Sequence, residues 1–416
     1  MHPRPTLPRA TLFAAMGSIV SLSAQAVFAL FLLKLFDASA VGEFSVASQI
    51  AFCWATLALA QSHLSLLVNH QQAAHTAARH AWLQSMVRMA WMGPWMALAL
   101  WWSFRQNHAN NPGWLMLAPW VIGIAVLQMS WLLAQSLTLR TRNAPSIALV
   151  RLLPPVLAAL TAWLGAWAFT ATHSAILLLS ALIGYGIGAS WLLGAWRKDI
   201  SHASTSTNAS ETTDHSASRA DPRSTRLKLL HTLTDVVTST LLAVQWQSLY
   251  GSAEAGMLLV LLRVFGFVPG LVHSAWAQVS LSQIDQQRRT SLQIGVAACA
   301  VVLTLALAIQ AALHLAWLQP GWQGLQAYLW PLMVWQMAAC LIAAHAHLPF
   351  AQGRAIRYSW QCIGFNAGLL TLLLLLPLLQ VPAHAHLLWI SAFMAVALAG
   401  QTLDLRTFPR RQAPAP

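Results

Sequence analysis

Charge is what this sequence has least of. Only 8% of its 416 residues are Asp, Glu, Lys or Arg, and Asp and Glu together number ten. A soluble chain carries roughly 25% charged residues, so a molecule with water on every side is excluded. Cysteine is nearly as sparse. Cys53, Cys299, Cys340 and Cys362 all lie in apolar runs, with no CxxC pair and no Cys/His ligand spacing. That pattern excludes a disulfide framework and a zinc site, and leaves four small thiols packed among apolar neighbours. The chain also has no GxxxxGK[ST] phosphate loop, no GxSxG elbow, no HExxH helix and no paired-carboxylate arrangement. It therefore does not read as an enzyme. His345-x-His347 and His384-x-His386 would set their rings about 200° apart on a helix, so no metal and no other cofactor is expected.

Apolar sequence is abundant. Hydrophobic residues make up 57% of the chain and mean hydropathy is +0.58. A bilayer-spanning helix needs about 20 mostly apolar residues. That rule places twelve spans, at 11–33, 41–67, 84–104, 113–137, 145–168, 174–195, 228–248, 255–283, 291–316, 322–346, 358–380 and 385–405. The fold class is an all-α membrane protein. The net charge of +13 is spread between apolar runs rather than gathered on a polar domain, which argues for membrane topology and against a nucleic-acid partner. Eighteen Lys and Arg residues fall on one face with both termini, against Lys34 and Arg105 on the other. By the positive-inside rule both termini are cytoplasmic, in agreement with the even number of spans. The first span runs straight into Lys34 and another span without a small-residue cleavage site, so it reads as retained rather than as a signal peptide.

Residues 199–226, rich in Ser, Thr, Ala and charge, divide the spans six and six. The expected organisation is an N-terminal six-helix bundle (1–198), a flexible cytoplasmic linker (199–226), a C-terminal six-helix bundle (227–405) and a basic cytoplasmic tail (406–416). No far-side loop is long enough to hold a folded domain. The halves are related: Gly42 set on Gly256 aligns DASAVG with GSAEAG at an offset of 214 residues. Many of the 21 tryptophans lie near span ends, where an indole sits well at the membrane interface. Gly184-Tyr-Gly186-Ile-Gly188 offers a small face for close helix packing.

Ionisable residues inside spans are the best lead to function, because each is costly in hydrocarbon without a partner or a wet cavity. Asp235 and Arg263 lie in consecutive spans at overlapping depths. Two readings stand: a structural ion pair, or an Arg263 that meets an anionic substrate group while Asp235 acts as partner or charge relay. Arg88 and Arg151 lie inside the third and fifth spans; each either snorkels to the headgroups or faces a cavity, and Arg151 sits just before Pro154-Pro155, where a kinked helix can open. Arginine suits phosphate because its planar fork holds two oxygens at once. Gln25, Gln49, Gln245, Gln247 and Asn366 offer uncharged hydrogen bonds either to a polyhydroxylated ligand or between helices.

The stretches FLLKLFDASAVGEFSVASQIAFCWATLALAQSHLSLL and TDVVTSTLLAVQWQSLYGSAEAGMLLVLLRVFGFVPGLV carry a resemblance. They are similar to the first and seventh-to-eighth-helix hairpins of the Wzx-type polysaccharide-biosynthesis flippases, within the multidrug/oligosaccharidyl-lipid/polysaccharide exporter superfamily. Gly42-Glu43-Phe44 stands where the family has a Gly-aromatic hairpin turn. The resemblance implies two six-helix bundles around a central cavity lined chiefly by helices 1, 2, 7 and 8, opening alternately to either side. It implies a flippase that moves a lipid-linked (polyprenyl-diphosphate) oligosaccharide across the bacterial cytoplasmic (inner) membrane for cell-surface polysaccharide such as O-antigen or lipopolysaccharide. Cationic cavity residues would hold the diphosphate, here Arg263, Arg151 and Arg88; Gln25, Gln49, Gln245 and Asn366 would reach the sugar. Membrane lipids and polysaccharide-assembly proteins are the implied partners. The sequence departs at Met257, where an aromatic is common, and shows no thirteenth or fourteenth helix. A drug or cation antiporter of the multidrug branch is the alternative, although residues 11–36 lack the acid expected of one. A membrane-embedded glycan polymerase or ligase comes third, because the substantial far-side loop is missing.

Overall fold

The structure, a computed structural model, describes residues 27–60, 62, 66, 73–105, 113–141, 144–168, 174–202, 222–280, 287–351 and 354–407. Among them every regular element is a helix. Residues 27–35 form α1, followed by α2 (Ala38–Leu59), α3 (Ala74–Phe104), α4 (Trp114–Arg140), α5 (Ala144–Ala168) and α6 (Ser174–His202). The second half holds α7 (Pro222–Tyr250), α8 (Ser252–Ser280), α9 (Gln287–His314), α10 (Leu325–His345), α11 (Ala355–Leu378) and α12 (Ala383–Thr407). A short 3-10 turn, Pro320–Trp322, precedes α10, and a four-residue helix, Leu348–Ala351, follows it.

Each expected span overlaps one of these helices, the first over 27–33 alone, since residues 11–26 lie outside the described residues. Eight helices, α4 to α6 and α8 to α12, are long and apolar enough to cross a membrane. This is a multi-pass membrane protein. α2, α3 and α7 are 22, 31 and 29 residues long but fall short in apolarity. The reason is their position: α2 and α7 lie at the centre of the molecule and carry Gln49, Asp235, Thr238 and Ser239 on a polar wall. Residues 203–221, the middle of the expected linker, and 408–416 in the tail lie outside the described residues. Helix α6 runs to His202 and α7 starts at Pro222, so helical structure enters the linker from both sides.

The two hairpin turns are tighter than the sequence suggests. The six residues left between the expected spans 228–248 and 255–283 reduce to a turn at Gly251, whose φ of +88° is the left-handed conformation that glycine tolerates. α7 closes there with Gly251 N donating to Gln247 O (3.0 Å), and α8 starts at Ser252. In the first half Asp37 caps α2, accepting from the Ser39 backbone N (3.3 Å) and from Ser39 Oγ (2.6 Å). Gly42 is therefore not a turn residue but a helical one, one turn into α2.

Its role is close approach. A Cβ on Gly42 would overlap the Ser252 carbonyl and the Gly256 nitrogen, and a Cβ on Gly256 would overlap the Ala38 carbonyl. Ala38 and Ser252, like Gly42 and Gly256, are related by the 214-residue offset. The sequence repeat is thus a physical one: α2 and α8 cross backbone to backbone on two matched glycines. The packing around them repeats as well. α2 packs on α3 and α4, as α8 packs on α9 and α10; α4 meets α6, as α10 meets α12; α5 meets α6, as α11 meets α12. Substantial contact between the helices before and after the linker runs through α2 and α3 on one side and α7 and α8 on the other.

Candidate functional site: a two-lobed cavity

Arg263 stands on α8 eleven residues after its start, which at 1.5 Å per residue puts it about 16 Å along the helix, near mid-membrane. Gln49 stands equally far along α2, and the same offset of 214 relates the two. These pseudo-equivalent residues line both of two cavities. The first, of about 400 Å³, lies in the N-terminal half among Phe28, Phe44, Ser48, Phe52, Gln128, Trp131, Pro154, Pro155 and Tyr185. The second, of about 380 Å³, lies in the C-terminal half among Asp235, Thr238, Ser239, Trp335, Asn366 and Leu369. Two lobes meet at a wall made of Gln49 and Arg263.

The Arg263 guanidinium sits 5.5 Å from the centroid of the Phe44 ring, a cation–π contact worth about 0.5–2 kcal/mol. Tyr185 lines the same lobe as Arg263. Asp235 lines the C-terminal lobe and is exposed to it. Among the described residues Asp235 and Arg263 make no ion pair with each other, whereas Arg354 and Arg357 both reach Asp404, at 3.7 and 2.9 Å. A mid-membrane guanidinium with a ring on one side and no carboxylate in contact is poised for an anion. Gln49 Nε2 donates to Ser239 Oγ and Thr240 Oγ1, both at 3.3 Å, tying α2 to α7 beside the lobe.

Other candidates lie elsewhere. Arg88 Nη1 donates to the carbonyls of Ala58 and Leu59 (3.3 Å each) and to Ser62 Oγ (2.9 Å). It closes the carbonyl end of α2, where a cation also meets the negative end of the helix dipole. Arg151 is half-buried on α5 and is absent from the lining of both lobes. Gln245 Oε1 accepts from Trp102 Nε1 (3.1 Å), and Gln247 Nε2 donates to Ser252 Oγ (2.7 Å), both near the hairpin-turn end. Asn366 lines the C-terminal lobe. Gln25 lies outside the described residues.

Sequence reasoning missed Trp131, Tyr185 and Gln128, which are dispersed over α4 and α6 and share no motif. One signal was available: Tyr185 lies inside the glycine series. A Cβ on Gly184 would come within 2.6 Å of the Pro154 carbonyl, and one on Gly188 would run into the Trp131 ring. The glycines let α6 approach the Pro154-Pro155 bulge and leave room for that ring.

Ties between the halves gather at the hairpin-turn end. Trp322 Nε1 donates to Phe36 O (2.9 Å), Lys34 Nζ donates to Trp317 O (2.6 Å) and lies over its ring, and Trp102 meets Gln245. With the α2/α8 crossing, they close this end of the molecule.

Fold and cavity define a multi-pass α-helical membrane protein with a two-lobed internal chamber that has Arg263 on both lobes and Asp235 on the second. No family model and no curated protein matches the chain. Solved structures do. The chain is similar to the lipid II flippase MurJ in an inward closed conformation, at 13% identity and a TM-score of 0.59, over 96% of this chain and 88% of that one. It is also similar to a chain designated protein A (14%, TM-score 0.59, 97% and 96% covered) and to MATE in complex with MaL6 (12%, TM-score 0.50, 95% of each). The fold is the one these proteins share.

Proposed function

We propose that the protein is a flippase that carries a lipid-linked oligosaccharide, with a polyprenyl-diphosphate anchor, across the bacterial inner membrane for cell-surface polysaccharide assembly. The observation that carries this reading is Arg263: a mid-depth guanidinium lining both lobes, held against Phe44 and not ion-paired to Asp235. A diphosphate supplies what this group lacks, because the planar guanidinium fork donates to two phosphate oxygens together. Two six-helix bundles rocking about the α2/α8 glycine crossing would expose the chamber to each side in turn. In this reading the excess of Lys and Arg with the termini puts the closed hairpin-turn end on the far side of the membrane.

Asp235 favours one second reading, the cation-coupled antiporter, because an exposed carboxylate in a separate lobe is a place for a cation. Complementation of a strain lacking its surface glycan separates the two. The flippase reading expects Arg263→Ala to lose the glycan and Arg263→Lys to restore it in part. Full activity from Arg263→Ala would remove Arg263 as a substrate contact.

A further inference from the structure

The N-terminal lobe has more than a cation at its edge. Trp131 and Tyr185 pack with ring centroids 5.4 Å apart and planes tilted by 43°, and both line the lobe. Their polar atoms are already used: Trp131 Nε1 donates to Val150 O (2.6 Å), and Tyr185 Oη accepts from Gln128 Nε2 (3.4 Å). That fixes the rings and leaves their apolar surface to the chamber, beside Phe28, Phe44 and Phe52.

Two polar atoms in the same lobe make no hydrogen bond within the protein. Gln128 is only 6% exposed, yet its Oε1 accepts no hydrogen bond; Ser48 Oγ is unpaired as well. A buried polar atom left unsatisfied costs about 1–3 kcal/mol, a cost that a ligand with hydroxyls would offset. Aromatic surface flanked by an amide acceptor and a hydroxyl fits a pyranose ring, which has apolar C–H faces and hydroxyl edges. The C-terminal lobe is a poorer host for a group attached to phosphate, because Asp235 would face it at close range.

We infer that the N-terminal lobe is the saccharide site, with Trp131 and Tyr185 as the stacking platform and Gln128 and Ser48 as hydroxyl partners. The assignment rests on the flippase reading and gives the bound substrate a direction: diphosphate on Arg263, first sugar toward α4 and α6. It makes Gln128 and Trp131 determinants of specificity, distinct from the anchor at Arg263.

The test uses the purified full chain in detergent and two probes, a polyprenyl diphosphate and the same lipid carrying one N-acetylglucosamine, with affinity read by microscale thermophoresis. The wild type is expected to bind the glycosylated probe about tenfold more tightly than the bare one. Gln128→Met removes the unsatisfied Oε1 acceptor together with the long bond from Nε2 to Tyr185 Oη, so its melting temperature changes little while the tenfold gain disappears. Trp131→Phe, which keeps a ring, retains part of the gain. Arg263→Gln weakens both probes alike. An undiminished gain in Gln128→Met, or no gain in the wild type, overturns the saccharide site while leaving the Arg263 reading intact. Unchanged binding of both probes by Arg263→Gln instead overturns the flippase reading itself.

Discussion

Arg88 and Arg263 are both arginines inside apolar helices, and their surroundings assign them opposite tasks. Arg88 spends its donors on two carbonyls and a serine at the end of α2. Hydrogen bonds to a charged group are worth about 1.5–3 kcal/mol, so Arg88→Ala is expected to destabilise the protein by about 2 kcal/mol. The thermal midpoint in detergent should fall, with affinity for a polyprenyl diphosphate unchanged in the folded fraction. An unshifted midpoint would count against the capping role. Arg263 is expected to behave in reverse, its removal costing binding rather than stability, because no partner is orphaned when it goes. The sequence named both residues but gave no way to separate them. Depth along a span is legible from spacing, whereas the direction a side chain faces depends on helix rotation, which packing decides.

At the scale of elements, the α2/α8 crossing is the feature most legible in the sequence. The offset of 214 residues aligns Gly42 with Gly256 in the sequence, and the structure brings those two glycines together. What the sequence misplaced was their purpose: a glycine in an apolar hairpin reads as a turn, and here only Gly251 makes one. The distinction is testable. Gly42→Ala pushes a methyl group into the backbone of α8, and overpacking of this kind costs typically 1–3 kcal/mol. Gly186→Ala meets only Leu127 Cδ1, at 3.8 Å, and should leave stability unchanged or raise it by up to about 1 kcal/mol, the helix-propensity gain. Equal melting temperatures for the two variants would contradict the crossing. Trp131, Tyr185 and Gln128 stayed invisible for a related reason. They converge from α4 and α6 only because Gly184 and Gly188 let those helices and α5 close up, and convergence of that kind has no local pattern.

For the whole molecule, the all-helical, multi-pass character was readable because hydrocarbon thickness sets the length of an apolar helix, and eight of the described helices meet it. The shape of the chamber was not. It depends on which polar faces of α2, α7 and α8 turn toward each other. In the described state the hairpin-turn end is held shut by Trp322 on Phe36, Lys34 on Trp317 and Trp102 on Gln245. The proposed alternating access requires these to part. A short bismaleimide cross-link between Trp102→Cys and Gln245→Cys, in a background lacking the four native cysteines, should abolish transport and leave cytoplasmic-side binding in place. Transport at the uncross-linked rate would show that this end need not open. The central claim is that Arg263 carries the phosphate of a lipid substrate across. Its most direct test is flipping of a fluorescent polyprenyl-diphosphate saccharide in proteoliposomes that contain wild type or Arg263→Gln. The account predicts rapid loss of leaflet asymmetry with wild type and a rate near that of protein-free vesicles with Arg263→Gln; equal rates for the two proteins would contradict it.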